Sequence, residues 1–331
     1  MINVAINGFG RIGRMVLKAG IDDKKLNFVA VNDLGDIETM AHLLKYDSVH
    51  GKFPGTVKTE KGVLIVNNKR IKVYTEKDPT KLPWKDLKVD VVIESTGVFR
   101  TKEQAMMHIK AGAKKVLLSA PPKDGEDIVQ VIKGSNDNAC TGKDIISNAS
   151  CTTNSLVPVV HVLRKEFGIE KGFLTTVHSY TNDQRILDLP HSDKRRSRGA
   201  ALNIIPTTTG AAESVGEIFP DLKGNFDGFS IRVPTPCGSL TIFTCILKKE
   251  ASAEQINKAM KKASETYLKG ILEYSTEPLV STDIIDNPHS SIFDSEMTSV
   301  NGTLAKVFTW YDNEWGFSNR MLDVAKLMAK K

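Results

Sequence analysis

A glycine-spaced turn near the N-terminus constrains this chain more than any other feature. Asn7-Gly8-Phe9-Gly10-Arg11-Ile12-Gly13 follows an apolar, β-branched run over residues 2–6 and opens a helical pattern over 12–19. Gly8, Gly10 and Gly13 have the spacing that permits a tight turn, a close backbone approach to a pyrophosphate and close helix packing. Free N–H groups at the start of such a helix hold phosphates. The next strand-like run, 28–31, ends in Asn32-Asp33. Asp33 lies about 20 residues past the glycines, the offset of an acid that hydrogen-bonds a ribose 2′-hydroxyl. Its charge repels a 2′-phosphate, so NAD is expected rather than NADP.

The rhythm of the first half extends this motif into a domain. Apolar runs at 2–6, 28–31, 89–93, 116–118 and 145–146 alternate with helix-like segments at 12–19, 37–44 and 101–111. Such alternation predicts an α/β Rossmann domain with a doubly wound, mainly parallel sheet. Residues 51–83 break the alternation with short strand-like runs, read as hairpin insertions. From about residue 172 the strands lengthen, over 172–180, 226–233, 240–248 and 303–311, with one clear helix at 253–268. That change predicts an α+β domain with a mainly antiparallel sheet. At 331 residues two domains are expected. They are placed at 1–150 and 151–315, with an amphipathic helix over 316–331.

The basic balance, +6 at neutral pH, permits an acidic partner without requiring one. Its one dense cluster, Lys194-Arg195-Arg196 with Arg198, has no interleaved aromatics and sits beside Ser192, Asp193 and Ser197. It suits a small anion or a subunit contact better than a polynucleotide, and no nucleic-acid partner is expected. No apolar run is long enough to span a bilayer, and strand-like sequence from the second residue leaves no room for a leader. The four cysteines have neither metal-ligand nor disulfide-framework spacing. A cytoplasmic protein with reduced thiols, and without a metal or membrane partner, is the resulting expectation.

One cysteine stands apart. Cys151 lies in Ser147-Asn148-Ala149-Ser150-Cys151-Thr152-Thr153-Asn154, between the strand at 145–146 and a helix running to about residue 167. At a helix N-terminus, free N–H groups and the helix dipole favour a thiolate. Its polar flanks make poor core neighbours, whereas Cys140, Cys237 and Cys245 read as structural. His178 ends a strand and begins the polar stretch Ser179-Tyr180-Thr181-Asn182-Asp183. The other histidines, at 42, 50, 108, 161, 191 and 289, read as surface or packing residues. A thiol nucleophile, a histidine base and NAD describe an aldehyde dehydrogenase.

The runs INGFGRIGR, LLKYDSVHG, ESTGVF, SNASCTTN, TTVHSYTNDQ, PTTTGAA and WYDNEWGFSNR closely resemble phosphorylating glyceraldehyde-3-phosphate dehydrogenase, from end to end. The resemblance implies that Cys151 attacks the aldehyde and His178 acts as base. It implies a substrate-phosphate pocket from Thr181 and Arg232, and an inorganic-phosphate pocket from Ser150, Thr152, Thr209 and Gly210. Arg196 matches a phosphate-contacting arginine. For the cofactor the resemblance adds Arg11 and Ile12 at the pyrophosphate, Thr96 and Ser119 along the cleft, and Asn313 at the nicotinamide amide. It also implies a homotetramer, and a C-terminal helix that completes the cofactor domain.

Two departures stand out: Cys237-Gly238 where the family usually has Asn-Val, and Phe317 for a usual Tyr. Erythrose-4-phosphate dehydrogenase shares the Cys and His motifs but usually lacks the Thr-Gly pocket and the Tyr-Thr pair, present here as Thr209-Gly210 and Tyr180-Thr181. A non-enzymatic RNA-binding role is the other alternative, raised by the positive charge alone.

Overall fold

A computed structural model describes residues 1–123 and 125–330. The chain divides into two compact units, one of residues 1–149 with 318–331, the other of residues 150–317. The expected cut at 150/151 shifts by one residue, so that Ser150 joins the helix it caps. The return of the chain shifts from 316 to 318.

The first unit is built on a nine-stranded sheet. Its order is Val129–Gln130, Ile145–Ser147, Lys115–Leu118, Val91–Glu94, Ile2–Asn7, Leu26–Asn32, Lys69–Tyr74, Val63–Val66 and Val57–Glu60. The first seven pair in parallel, and the last two add an antiparallel edge. That edge is the insertion expected over 51–83. Asn67 and Asn68 turn its second hairpin at φ of 48° and 65°, the left-handed values that tight hairpin turns require. Inner strands are buried on both faces, with Val4, Ala5, Ile6, Val92 and Ile93 fully covered. The helix Lys102–Lys110 starts where Thr101 and Gln104 exchange the bonds of a capping box. The strand expected from residue 89 begins at Val91, three residues after a left-handed turn at Lys88, φ 51°.

The second unit has a seven-stranded sheet, ordered Ile205–Thr208, Phe226–Val233, Ile169–Ser179, Ser239–Leu247, Leu304–Tyr311, Ser291–Asn301 and Leu272–Ser275. Four of its six pairings are antiparallel. The helix Cys151–Glu166 packs on this sheet and against the helices Ala211–Ile218 and Ala253–Glu265. The last of these ends at Glu265, three residues before the expected Leu268, and its C-cap Thr266 bonds by its hydroxyl back to the carbonyl of Lys262. Three strands of this sheet, at 205–208, 272–275 and 291–301, were not expected from the sequence. In Ser291–Asn301 the alternation is lost: five consecutive residues are buried, Asp294 and Ser295 among them, before a register shift.

No helix among the described residues is long and apolar enough to cross a membrane.

Candidate active site

In the first unit the glycines shape a cradle. Gly8 has φ of +91°, and a Cβ there would lie 2.6 Å from the backbone nitrogen of Thr96. A Cβ on Gly13 would strike the carbonyl oxygen of Gly8. Gly10, by contrast, faces open space and caps the helix Arg11–Gly20 without a side-chain bond. The backbone N–H groups of Arg11, Ile12 and Gly13 therefore begin a helix that no side chain caps, the setting that suits a pyrophosphate. Asp33 accepts from the backbone N–H of Phe9 at 2.6 Å and of Gly35 at 3.1 Å, so its carboxylate is pinned beside the glycine turn. These residues fit a dinucleotide. The Arg11 guanidinium pairs with Asp47. Thr96 donates its N–H and hydroxyl to Glu94, and Ser119 donates its N–H to the Glu94 carbonyl.

Beneath this cradle lies a buried network that the sequence did not disclose. Asn7 donates to Glu94 at 2.6 Å, His108 Nε2 stands 3.1 Å from the same carboxylate oxygen, and Trp84 donates to His108 Nδ1 at 3.0 Å. An indole N–H only donates, so Nδ1 accepts and the ring proton sits on Nε2, facing Glu94. His108 is fully buried and Glu94 is buried with it. A histidine classed with packing residues is thus an organising one.

In the second unit Cys151 is the first residue of its helix. Ala149, at φ 55°, turns the chain into that helix, and the hydroxyl of the N-cap Ser150 accepts from Thr153 N at 3.0 Å. A non-glycine residue in the left-handed region is costly and persists where neighbours hold it. Cys151 is half-buried, and its Sγ lies 3.4 Å from Nε2 of His178. His178 is the penultimate residue of the strand Ile169–Ser179. Its Nδ1 lies 2.6 Å from the carbonyl oxygen of Ser179. A carbonyl only accepts, so Nδ1 carries the proton and Nε2 is left to take one from sulfur. The ring meets Tyr311 edge-on at 5.9 Å.

Burial pushes the Cys151 thiol up, with Arg232 pulling against it. Burial also holds His178 down to about 3, and here Arg232 adds to the effect. Each environment opposes an isolated charge, so the thiolate is favoured only as its proton passes to Nε2. The other three cysteines are free and buried.

Arg232 pairs with His178 in parallel register, which brings its guanidinium to the same end of the sheet. Its Nη1 donates to the Ser179 carbonyl at 3.2 Å and to the Thr181 hydroxyl at 3.3 Å, while Nε is buried without a partner. A charged fork with unspent donors is suited to a phosphate. Gly210 caps the helix Ala211–Ile218 with no side-chain bond, and the Thr209 hydroxyl takes the first N–H of that helix at 3.3 Å. Arg196 is tethered: it bonds Asp183 at 2.7 Å, the Thr207 hydroxyl at 2.8 Å and the Thr208 carbonyl at 3.2 Å. Two of its five donors remain for an anion. Thr152 is buried, and its hydroxyl lies 2.9 Å from that of Tyr311. Asn313, at 6% exposure, accepts from Ser239 at 3.0 Å. Tyr311 itself was missed by the sequence reading. Its hydroxyl joins Thr152 and Thr176, each at 2.9 Å, beneath His178.

Comparison with known proteins agrees with this geometry. Residues 2–102 match the family model described as glyceraldehyde 3-phosphate dehydrogenase, NAD binding domain. Residues 150–313 match the model of the C-terminal domain of the same enzyme. The glyceraldehyde-3-phosphate dehydrogenase of Thermotoga maritima is 58% identical over the full length of both chains. That of Zymomonas mobilis is 53% identical over 99% of each chain. Glyceraldehyde-3-phosphate dehydrogenase 1 of Bacillus subtilis is 52% identical over 100% of this chain and 99% of its own. A dinucleotide cradle, a cysteine–histidine pair and end-to-end identity converge on one conclusion: the chain belongs to the glyceraldehyde-3-phosphate dehydrogenase family.

Proposed function

We propose that this chain oxidises glyceraldehyde 3-phosphate with NAD and inorganic phosphate to 1,3-bisphosphoglycerate. The observation that carries the proposal is the Cys151–His178 pair, with Nε2 free to accept a proton 3.4 Å from sulfur. His178 takes the thiol proton as Cys151 adds to the aldehyde carbon and returns it to the resulting alkoxide, giving a thiohemiacetal and a neutral Nε2. The developing oxyanion is served by the backbone N–H of Cys151 at the helix start. NAD, when bound, supplies the hydride acceptor that converts a thiohemiacetal to a thioester. His178 Nε2 holds the hydroxyl proton released in that conversion. Attack of inorganic phosphate on the thioester carbon then expels the Cys151 thiolate and leaves an acyl phosphate. Because a thioester retains the energy of oxidation, no further activation is needed.

The residue assignments follow the same proposal. Arg232 and Thr181 hold the substrate's phosphate. Ser150, Thr152, Thr209, Gly210 and Arg196 hold the attacking phosphate. Gly8, Gly10, Arg11, Ile12, Gly13, Asp33, Thr96, Ser119 and Asn313 hold NAD. Measuring NAD reduction with glyceraldehyde 3-phosphate, with and without inorganic phosphate, tests the reaction. Turnover should be many-fold faster with phosphate, and equal rates would overturn the phosphorylating assignment. The same result separates it from a thioester-hydrolysing dehydrogenase acting on erythrose 4-phosphate.

The proposal includes a homotetramer in the cytoplasm. Support for association comes from apolar side chains facing outward on the second unit: Phe173 is 65% exposed, Ile186 87% and Leu187 71%. Large apolar side chains left this exposed are available for burial against another chain. Sedimentation at micromolar concentration should give four chains, and a monomer would overturn this part. The cytoplasmic assignment rests on four free cysteines, which oxidising compartments disfavour.

A further inference from the structure

Ser239 opens the strand Ser239–Leu247 and pairs in register with Tyr311. It is 1% exposed, and its hydroxyl bonds neither the nucleophile nor the base. Its hydroxyl oxygen accepts the backbone N–H of Ser179 at 3.1 Å and passes its own proton to Oδ1 of Asn313 at 3.0 Å. Ser179 in turn receives His178 Nδ1 on its carbonyl at 2.6 Å. One line of bonds thus runs from the catalytic imidazole through a single residue, Ser179, and the Ser239 hydroxyl to the amide of Asn313.

A serine hydroxyl has one proton to give. The N–H of Ser179 can only donate, so that proton is not needed there and goes to Asn313. Were the Asn313 amide flipped, its NH2 would face Ser239 and the buried hydroxyl proton would lose its acceptor. Losing a buried partner is the costly outcome. The bond therefore selects one of two amide orientations that shape alone does not distinguish. It keeps Oδ1 inward and leaves the Nδ2 donors for a ligand carbonyl. A second set of bonds fixes the backbone on either side. Asp312 accepts from the backbone N–H groups of Glu314 and Trp315, each at 2.8 Å, and from the Cys237 thiol at 3.2 Å.

We propose that Ser239 is a positioning residue that locks the Asn313 amide with its N–H donors outward, toward the carboxamide of the nicotinamide ring. This rests on the proposed assignment of Asn313 to NAD, and adds the residue that makes an otherwise two-fold ambiguous amide selective for a carbonyl.

The test compares dissociation constants of NAD and of ADP-ribose, which lacks the nicotinamide, across Ser239→Ala, Asn313→Ala and the double variant. Ser239→Ala should weaken NAD binding about tenfold, the scale of one buried hydrogen bond, and leave ADP-ribose binding unchanged. Coupled residues are not additive, so the double variant should bind NAD no more weakly than Asn313→Ala alone. The alkylation rate of Cys151 in Ser239→Ala should match the parent, because the His178–Ser179 carbonyl bond survives. Undiminished NAD affinity in Ser239→Ala, additive losses in the double variant, or an altered alkylation rate would each overturn the positioning role. If Asn313→Ala itself binds NAD like the parent, the underlying assignment of Asn313 falls, and this proposal with it.

Discussion

Nε2 of His178 lies 3.4 Å from Sγ of Cys151, while Nδ1 of the same ring lies 2.6 Å from its neighbour's carbonyl oxygen. The second distance decides what the first can do. With Nδ1 holding a proton, the face toward sulfur is a base. Since burial pushes the Cys151 thiol up, removing that base leaves a poor nucleophile at neutral pH. We predict that His178→Asn lowers turnover by roughly a hundredfold or more and moves the pH midpoint of Cys151 alkylation by iodoacetamide upward. An unchanged alkylation profile would remove His178 from thiol activation.

Cys151→Ser keeps the shape of the site and exchanges sulfur for a far less acidic hydroxyl. Turnover should fall by several orders of magnitude, with NAD affinity intact by titration. Residual turnover near the parent level would mean that another group is the nucleophile.

His178 also makes stability depend on pH. Its value falls from 6.5 to about 3 on folding, mainly through burial. Between those values the unfolded chain binds the proton and the folded chain does not, so stability is lost as pH falls through that window. The term amounts to roughly a few kcal/mol by pH 3. Thermal midpoints measured from pH 7 to pH 4 should therefore drop less steeply in His178→Asn than in the parent. Parallel slopes would contradict a proton-free buried ring.

Asp33 is expected to discriminate against a 2′-phosphate by charge. Asp33→Ala should raise NADP use relative to NAD, read as the ratio of the two kcat/KM values. Because Asp33 also holds the N–H groups of Phe9 and Gly35, NAD affinity itself should weaken several-fold. A constant ratio would refute the ribose role.

His108→Leu should destabilise the first unit by roughly 3 kcal/mol, since it strands the Trp84 N–H in the interior and leaves the buried Glu94 carboxylate oxygen with Asn7 but without His108. Denaturant unfolding with and without NAD would read it. A loss under 1 kcal/mol would show that the network contributes little.

Much of this molecule was legible before its fold was seen, for identifiable reasons. Gly8 and Gly13 are demanded by close backbone approach, which leaves a fixed spacing in the chain. Cys151 is marked by Ser150, whose cap defines the helix start locally. What stayed hidden depends on contacts far apart in sequence. Tyr311 meets Thr152 across 159 positions, and nothing near either residue announces the other. The strand Ser291–Asn301 was obscured because Asp294 and Ser295 are buried among strand neighbours, including Trp310, whose indole N–H bonds Asp294 at 3.1 Å. Polar residues inside a sheet read as loop when only periodicity is consulted.

The first unit takes its final residues, 318–331, from the far end of the chain. Met321, Val324, Ala325 and Met328 are buried, and Lys326 bonds Asp23 at 3.1 Å. During synthesis, residues 1–149 emerge first but lack part of their core until translation is nearly finished. Domains usually fold as they leave the ribosome, N-terminal first. Here the later-made unit, residues 150–317, is the one whose sequence is contiguous, so it can finish folding while the earlier one waits. A ribosome-stalled chain ending at residue 317 should accordingly expose apolar surface in its nucleotide-binding half and recruit chaperones there.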